Sequence, residues 1–413
     1  MVRRLLPPSV EGLSAPTLGK KTDTAKVGHG PLSGVRVLDL TGVVMGPWAT
    51  QILGDMGADV IKIEPKGGDL LRFLTPGRHE SMGPSYLNFN RNKRSLVLDL
   101  KTPKGKEALL KLARVSDVFI SNVRPQAMRR LGLDYETLRH ENERIVYCGC
   151  YGYSEDGPYA GRAALDDVIQ AASGLAWLQG YRGSESPRYV NTIVADKVVG
   201  LYVVQAVAMA LYAREKTGQG QFIEIPMFET MVTFVVPEHL SGLTFEPSLG
   251  GAGYERLLNP YRKPYKTKDG HISVVPYIDQ QWERFFEIVG RPEMIRDPRY
   301  ATVQGRSEHV AELYRFIEEN LEMRTTAAWA EAFAKAEIPF ALVNSFEALL
   351  HDPHLVATGF WHTVEHPTEG SIRVAGIPTK FSKTPGSIRR HAPNIGEHSE
   401  EILRELGIDS GPS

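Results

Sequence analysis

Short runs of aliphatic and β-branched residues alternate with helix-length stretches through the first half of the chain. Val35–Leu40 is an apolar run, Thr41–Gly46 a glycine-bearing loop, and Pro47 stands well as the first residue of a helix ending near Gly57. Val60–Glu64 predicts the next strand, so the crossover is a short βαβ unit and the strands are parallel. Ser95–Leu100, Asp117–Ser121 and Ile145–Cys148 predict three more strands, with Thr102-Pro103 as cap and first turn of a helix through Ala113. The alternation predicts an α/β fold, a Rossmann-like parallel sheet with helices on both faces.

The pattern then loosens. Residues 151–188 are glycine-rich and irregular at both ends around a helical piece, Leu165–Ala176, with Asp166 and Asp167 at its start. Of two adjacent acids at a helix head, one usually caps and the other faces solvent. Tyr189–Ala195 is rich in β-branched residues and reads as extended, while Val198–Ala213 is apolar apart from Gln205 and two tyrosines. That predicts a helix buried nearly all round and closed by Gly218. Asp196 falls where the extended run turns into this helix, where free N–H groups and the macrodipole favour an ionised carboxylate. It fits two roles, a plain N-cap or a nucleophile that attacks an activated acyl group. This stretch alone leaves both open.

Phe222–Pro226 predicts a strand and Met227–Val236 a helix leading out of the first domain. A cluster of Gly250, Gly251 and Gly253 follows, either a surface loop or an active-site flap with free backbone N–H groups. Tyr265–Val275 reads as two strands around Lys268-Asp269-Gly270, Asp279 caps a helix to Val289, and amphipathic helices cover Arg306–Asn320 and Thr326–Ala336. Phe340–Val343, Ile372–Val374 and the helix His398–Leu406 are expected to return to the first domain. The domains expected are an N-terminal arm over 1–31, a large α/β domain over 32–225, a smaller α+β domain over 226–339 and a returning C-terminal segment over 340–413.

Composition narrows the partners. The chain has 413 residues, 42% of them apolar and 23% charged, with a formal net charge of -1, so nothing marks it for nucleic acid or a membrane surface. No apolar run reaches the roughly 18 residues of a spanning helix, and a cytoplasmic location is expected. Arginine and lysine outnumber acids in residues 1–30, but prolines and glycines there favour a surface-wrapped arm over an amphipathic transit helix. The two cysteines, Cys148 and Cys150, share one face of a strand and predict buried thiols rather than a disulfide or metal site. No metal is expected.

The opening βαβ unit raises dinucleotide binding, and Glu64 lies about 20 residues past the first loop glycine, where a ribose-binding acid belongs. The loop itself, Gly42-Val-Val-Met-Gly46, is not G-x-G-x-x-G, and Pro47 removes one N–H a pyrophosphate would need. Basic residues recur instead at loop positions: Arg72, Lys93, Arg94, Lys101, Arg124, Arg129 and Arg130. Singly each is a solvated surface residue; as a set at strand ends they suit a ligand with several phosphates.

Several motifs together carry a resemblance. Leu32-Ser-Gly-Val-Arg-Val-Leu-Asp-Leu40, Gly46-Pro47, Gly57-Ala-Asp-Val-Ile-Lys-Ile-Glu-Pro65, Asn90-Arg-Asn-Lys-Arg-Ser95, Gly157-Pro158, Gln170-Ala-Ala-Ser-Gly174, Lys216-Thr-Gly-Gln-Gly-Gln221 and Gly396-Glu-His398 occur in order. The chain resembles, from about residue 32 to 406, the class III CoA-transferases, the formyl-CoA and carnitine CoA-transferase type. The resemblance implies that Asp196 is the nucleophilic aspartate, that Asp166 assists near the thioester, and that CoA lies against Val43, Arg72, Leu98, Lys101, Asn122, Val123 and Arg130. It implies a mobile loop at Gly250, Gly251 and Gly253, an interlocked homodimer, acyl-CoA and carboxylic acid as substrates, and no tightly bound cofactor beyond CoA itself.

Departures bear on the substrate. Pro65 stands where some members place an arginine on CoA, the glycine cluster is shorter, and Gly42 and Val44 replace larger residues. The chemistry is left in place, and the case for a formyl or oxalyl substrate is weakened. Arg256, Arg262, Lys263 and His271 could hold a second carboxylate, which makes succinate a candidate. One rival is a 2-methylacyl-CoA racemase, which carries His-Asp where this chain has Leu165-Asp166. A non-catalytic CoA-binding protein is the other.

Overall fold

The structure, a computed structural model, describes residues 30–180 and 186–408. The arm expected over 1–31 therefore lies, up to residue 29, outside the described residues. Six parallel strands form the main sheet in the order β3-β2-β1-β4-β5-β6. They are β1 (Arg36–Leu40), β2 (Asp59–Glu64), β3 (Lys93–Val97), β4 (Val118–Ser121), β5 (Val146–Tyr151) and β6 (Phe222–Pro226). Alternate residues feed opposite faces: Val37, Val60, Val118 and Val146 join one core, and Leu38, Ile61, Phe119 and Tyr147 the other. The helix Pro103–Arg114 begins as expected, with the Thr102 hydroxyl accepting from the Gly105 N–H at 3.1 Å.

On the first face the helix Met45–Asp55 and the long helix Val194–Thr217 pack together on the sheet. Gly200 makes the approach possible, because a Cβ there would lie 2.9 Å from the Met45 carbonyl oxygen and 3.0 Å from the Trp48 ring. Gly218, at φ +77°, ends the long helix in the left-handed region. Burial of this helix is one-sided, which corrects the expectation of burial nearly all round. Val199, Val203, Val207 and Leu211 form the buried stripe, while Leu201, Met209 and Tyr212 are 53%, 60% and 68% exposed. At 24 residues the helix is also long and apolar enough to cross a membrane by length and composition, because it extends beyond the apolar run at both ends.

Other expectations shift. Tyr189–Ala195 is not a strand; the chain stays irregular to Ile193 and the helix starts at Val194. The piece predicted over Leu165–Ala176 is two helices, Asp166–Ala172 and Leu175–Gly180, broken at Gly174 (φ +85°). Met227–Val235 is a helix whose Met227, Met231 and Val235 belong to the first core, so the large domain runs past residue 226.

The second core gathers Tyr265, Trp282, Phe285, Trp329 and Phe333 around a small antiparallel sheet of β7 (Tyr265–Lys266), β8 (His271–Val274) and β9 (Phe340–Leu342). Phe340–Leu342 thus completes the small domain rather than returning to the large one, since it pairs with β8. Ile372–Val374 lies in the hairpin of β10 (Trp361–His366) and β11 (Gly370–Ala375). The helix Ser399–Glu405 does return, burying Ile402 in the second-face core of the large domain.

Candidate functional site

The strand order places a topological switch point between β1 and β4, where connections leave in opposite directions and open a crevice at the strands' C-terminal ends. The loops after β1 and β4 meet there. Asn122 accepts from the Gly42 N–H at 3.1 Å and donates back to the Gly42 carbonyl at 2.9 Å. Val43 adopts φ +67°, rare for a β-branched residue, and its N–H reaches Asp69 Oδ1 at 3.3 Å. Asp69 in turn accepts from Lys62 Nζ at 2.9 Å, and Lys62 donates to the Thr41 carbonyl at 2.9 Å. A buried ion pair thereby fixes the loop that carries Val43.

Of the residues expected against CoA, Val43, Asn122 and Val123 sit together in the loops after β1 and β4. Leu98 is buried just past β3, and exposed Lys101 follows in the same loop. Arg130 is exposed on the helix Pro125–Leu131 behind β4. Lys101, Arg124, Arg129 and Arg130 form no ion pair with any described residue. Arg72 is placed otherwise. It is 1% exposed, grips Glu64 at 2.8 and 2.7 Å, and donates to the Pro393 carbonyl at 3.1 Å. Its guanidinium is used up inside the fold, as are the side chains of Lys93 and Arg94, which lie within β3 and not in a loop. Glu64 likewise serves Arg72 and Ser95, leaving no carboxylate for a ribose.

Sequence reasoning missed Asp69 and the structural part played by Lys62. The signal was present in the charged Lys62 and Glu64 of an otherwise apolar strand, a pattern that marks a buried polar network.

Asp196 is the third residue of the long helix, one turn past the position of an N-cap, which is Ile193. The helix head is instead capped from outside by Asp166, whose Oδ1 accepts the Asp196 N–H at 3.0 Å. Gln170 locks Asp166 in place, donating to its Oδ2 at 2.5 Å while accepting the Val190 N–H at 2.8 Å. No donor among the described residues reaches the Asp196 carboxylate. Burial and then the neighbouring charge of Asp166 push it up to about 7. This corrects the expectation that the helix end would favour its ionised form, because Asp166 has already taken the donor.

The same shift predicts a stability effect. A carboxyl raised from 3.8 to about 7 holds its proton more tightly folded than unfolded. Its contribution is fully present below pH 3.8 and lost as pH rises through 7. Asp196→Asn is therefore expected to stabilise the protein at pH 8 by about 2 kcal/mol, discounted for partial exposure, and to have no such effect at pH 4. Urea melts of both proteins at the two pH values measure it.

The glycine cluster lines a cavity of about 810 Å³ together with small-domain residues, and Asp196 is not on its wall. A second cavity of about 1050 Å³ carries Tyr189, Val190 and Asn191, the stretch leading to Asp196. Leu258 belongs to both walls. The four candidates for a second carboxylate do not converge. Lys263 pairs with Glu318 at 2.6 Å, His271 lies on β8, Arg256 lines the first cavity and Arg262 the second. Cys148 and Cys150 are free and buried, Sγ to Sγ 3.9 Å, on one face of β5 as expected. Among the described residues no group of acids, histidines or cysteines could hold a metal ion.

The fold is thus a doubly wound sheet with a crevice at its strands' C-terminal ends and, at a helix head, a partly buried carboxylate that no donor among the described residues reaches. The chain belongs to CoA-transferase family III, whose family model matches residues 32–399. It is similar to succinyl-CoA:glutarate CoA-transferase of Homo sapiens, 34% identical over 380 residues that cover 91% of this chain and 86% of that one. Succinate--glutarate CoA-transferase of Agrobacterium fabrum is 34% identical over 390 residues, covering 91% and 96%. Among solved structures, a CAIB/BAIF family protein from Brucella suis is 30% identical over 92% of this chain and 100% of its own, with a TM-score of 0.78.

Proposed function

We propose that the chain moves CoA from a dicarboxylic acyl-CoA such as succinyl-CoA to a free dicarboxylic acid, with Asp196 as nucleophile. The ionised Asp196 oxygen attacks the thioester carbonyl carbon; the C–S bond breaks and CoA thiolate leaves an aspartyl-acyl anhydride. Thiolate then attacks the Asp196 carbonyl, giving an enzyme-CoA thioester and the first free acid. The acceptor carboxylate repeats the sequence in reverse and departs as its own CoA ester. The observation that carries this reading is the Asp196 carboxylate, partly buried, without a hydrogen-bond donor among the described residues and pushed up to about 7. A carboxylate so raised is a stronger nucleophile than an exposed one, and about half of it is ionised at pH 7.

Lys101, Arg124, Arg129 and Arg130 supply the charge for the phosphates of CoA, while Val43, Leu98, Asn122 and Val123 shape its crevice. In this reading Arg72 acts from behind, holding Glu64 and the loop floor. Gly250, Gly251 and Gly253 are the loop that excludes water from the anhydride. Dicarboxylates are favoured by the names of the two similar enzymes. The unpartnered face of the long helix, with Leu201, Met209 and Tyr212, supports a homodimer in which a second copy covers it. That protein would be soluble and cytoplasmic.

The test is to incubate the protein with several acyl-CoAs and a panel of acids and to look for new thioesters by mass. Absence of any new thioester would sink the proposal. The pH dependence is a second check. kcat/KM should rise as pH passes through about 7 from below, because the ionised form attacks. Asp166→Asn removes the nearby negative charge and should move that limb to lower pH.

A further inference from the structure

We infer that Arg256 is the specificity residue that grips the distal carboxylate of the substrate, inside the cavity walled by the glycine loop. The inference rests on the dicarboxylate reading above and deepens it. Three charged residues line this cavity of about 810 Å³: Glu255, Arg256 and Arg306. Arg306 is spent, donating to the Tyr300 carbonyl at 2.8 Å and to Asp279. Arg256 makes no ion pair among the described residues, and neither does Glu255 beside it. The Arg256 Nε donates to the Tyr314 hydroxyl at 3.0 Å, and its guanidinium lies 5.6 Å from the centre of the Tyr277 ring. The Tyr254 hydroxyl also bears on the group, so its partners are neutral phenols and no carboxylate, and the guanidinium keeps the planar form that suits one.

The rest of the wall fits a short methylene chain. Tyr254, Tyr277, Trp282 and Leu258 offer aromatic and aliphatic surface, and the volume lies within the roughly 300–1,000 Å³ common for small-molecule sites. A second cavity adjoins this one. Leu258 is shared with the adjoining cavity whose wall includes Val190, the residue bonded through Gln170 to Asp166 and so to the head of the long helix. His239 of that second wall accepts the Gly253 N–H through its carbonyl at 2.7 Å, tying the glycine loop to the same junction.

The experiment compares wild type, Arg256→Gln and Arg256→Lys with glutarate and with valerate, the monocarboxylate of the same length, as acceptors from succinyl-CoA and from butyryl-CoA respectively. For Arg256→Gln the KM for glutarate is expected to rise by about 30-fold, the loss of one charge-assisted pair, while kcat/KM for valerate changes by less than about 3-fold. Arg256→Lys should recover part of the glutarate loss. Equal losses for both acids, or no loss for either, would overturn the assignment while leaving the transferase reading intact. Should no acid be turned over, the transferase reading fails, and the anchor is judged separately by Trp282, which lines the cavity. Saturable quenching of its fluorescence by glutarate in wild type, lost in Arg256→Gln, upholds it; quenching in both or in neither rejects it.

Discussion

Asp196→Ala is expected to lower kcat/KM for CoA transfer on the order of 10,000-fold while leaving the affinity for CoA within about 2-fold. The asymmetry follows from where the side chain sits. Its carboxylate is on the first turn of the long helix beside Asp166, whereas Val43, Asn122 and Lys101, the crevice and charge proposed for CoA, are held by separate contacts of the strand loops. Asp166 is held at both of its oxygens, by the Asp196 N–H and by Gln170. Asp196→Asn should fail as completely, since an amide is no nucleophile toward a thioester, though it preserves shape. Mass spectrometry of protein mixed with acyl-CoA should show a covalent adduct in wild type and none in either variant. Ordinary turnover by either one would end the case for Asp196 as nucleophile.

The second large effect concerns stability and lies on the other side of the crevice loop. Asp39→Asn is expected to destabilise the protein by about 3–5 kcal/mol, the usual result of breaking a fully buried ion pair from one side. Asp39 accepts from Lys93 Nζ at 3.0 Å, from Thr50 Oγ1 at 2.7 Å and from the Thr41 N–H at 3.1 Å, and both charged side chains are 0% exposed. Burial works against the carboxylate, yet Lys93, Lys62 and the two threonine hydroxyls hold Asp39 down to about 2. Burial brings Lys93 down to about 8 in spite of Asp39, so the pair is still ionised at neutral pH. Removing the carboxylate charge strands an ammonium whose other acceptors are neutral, the Pro47 carbonyl and Asn90 Oδ1. Asp39 also bonds Thr41, so the loop that carries Val43 loses an anchor, and KM for acyl-CoA should rise along with the loss of stability. A urea midpoint unchanged from wild type would show that the pair contributes little. Lys93→Met with Asp39→Leu, by contrast, should recover much of the stability and none of the loop order.

The parallel sheet was legible in the chain because its evidence is local. Most strands carry a short apolar run of their own, Thr102 and Gly218 mark helix ends by chemistry that acts within a turn, and short crossovers force parallel order. The pairing of Cys148 and Cys150 on one face follows from strand geometry alone. What the sequence could not determine were matters settled across the fold. Arg72 reads as a surface cation until Glu64, Tyr86 and Pro393 surround it. The carboxylate of Asp196 reads as favoured in its ionised form until Asp166, 30 residues earlier, takes the helix's N–H. Burial of only one side of the long helix, and the contact of Arg256 with Tyr314, 58 residues later, depend on which surfaces meet. Hydrophobic period and capping are properties of neighbours in the chain; charge pairing, desolvation and cavities belong to neighbours in space, and only the tertiary structure brings those together.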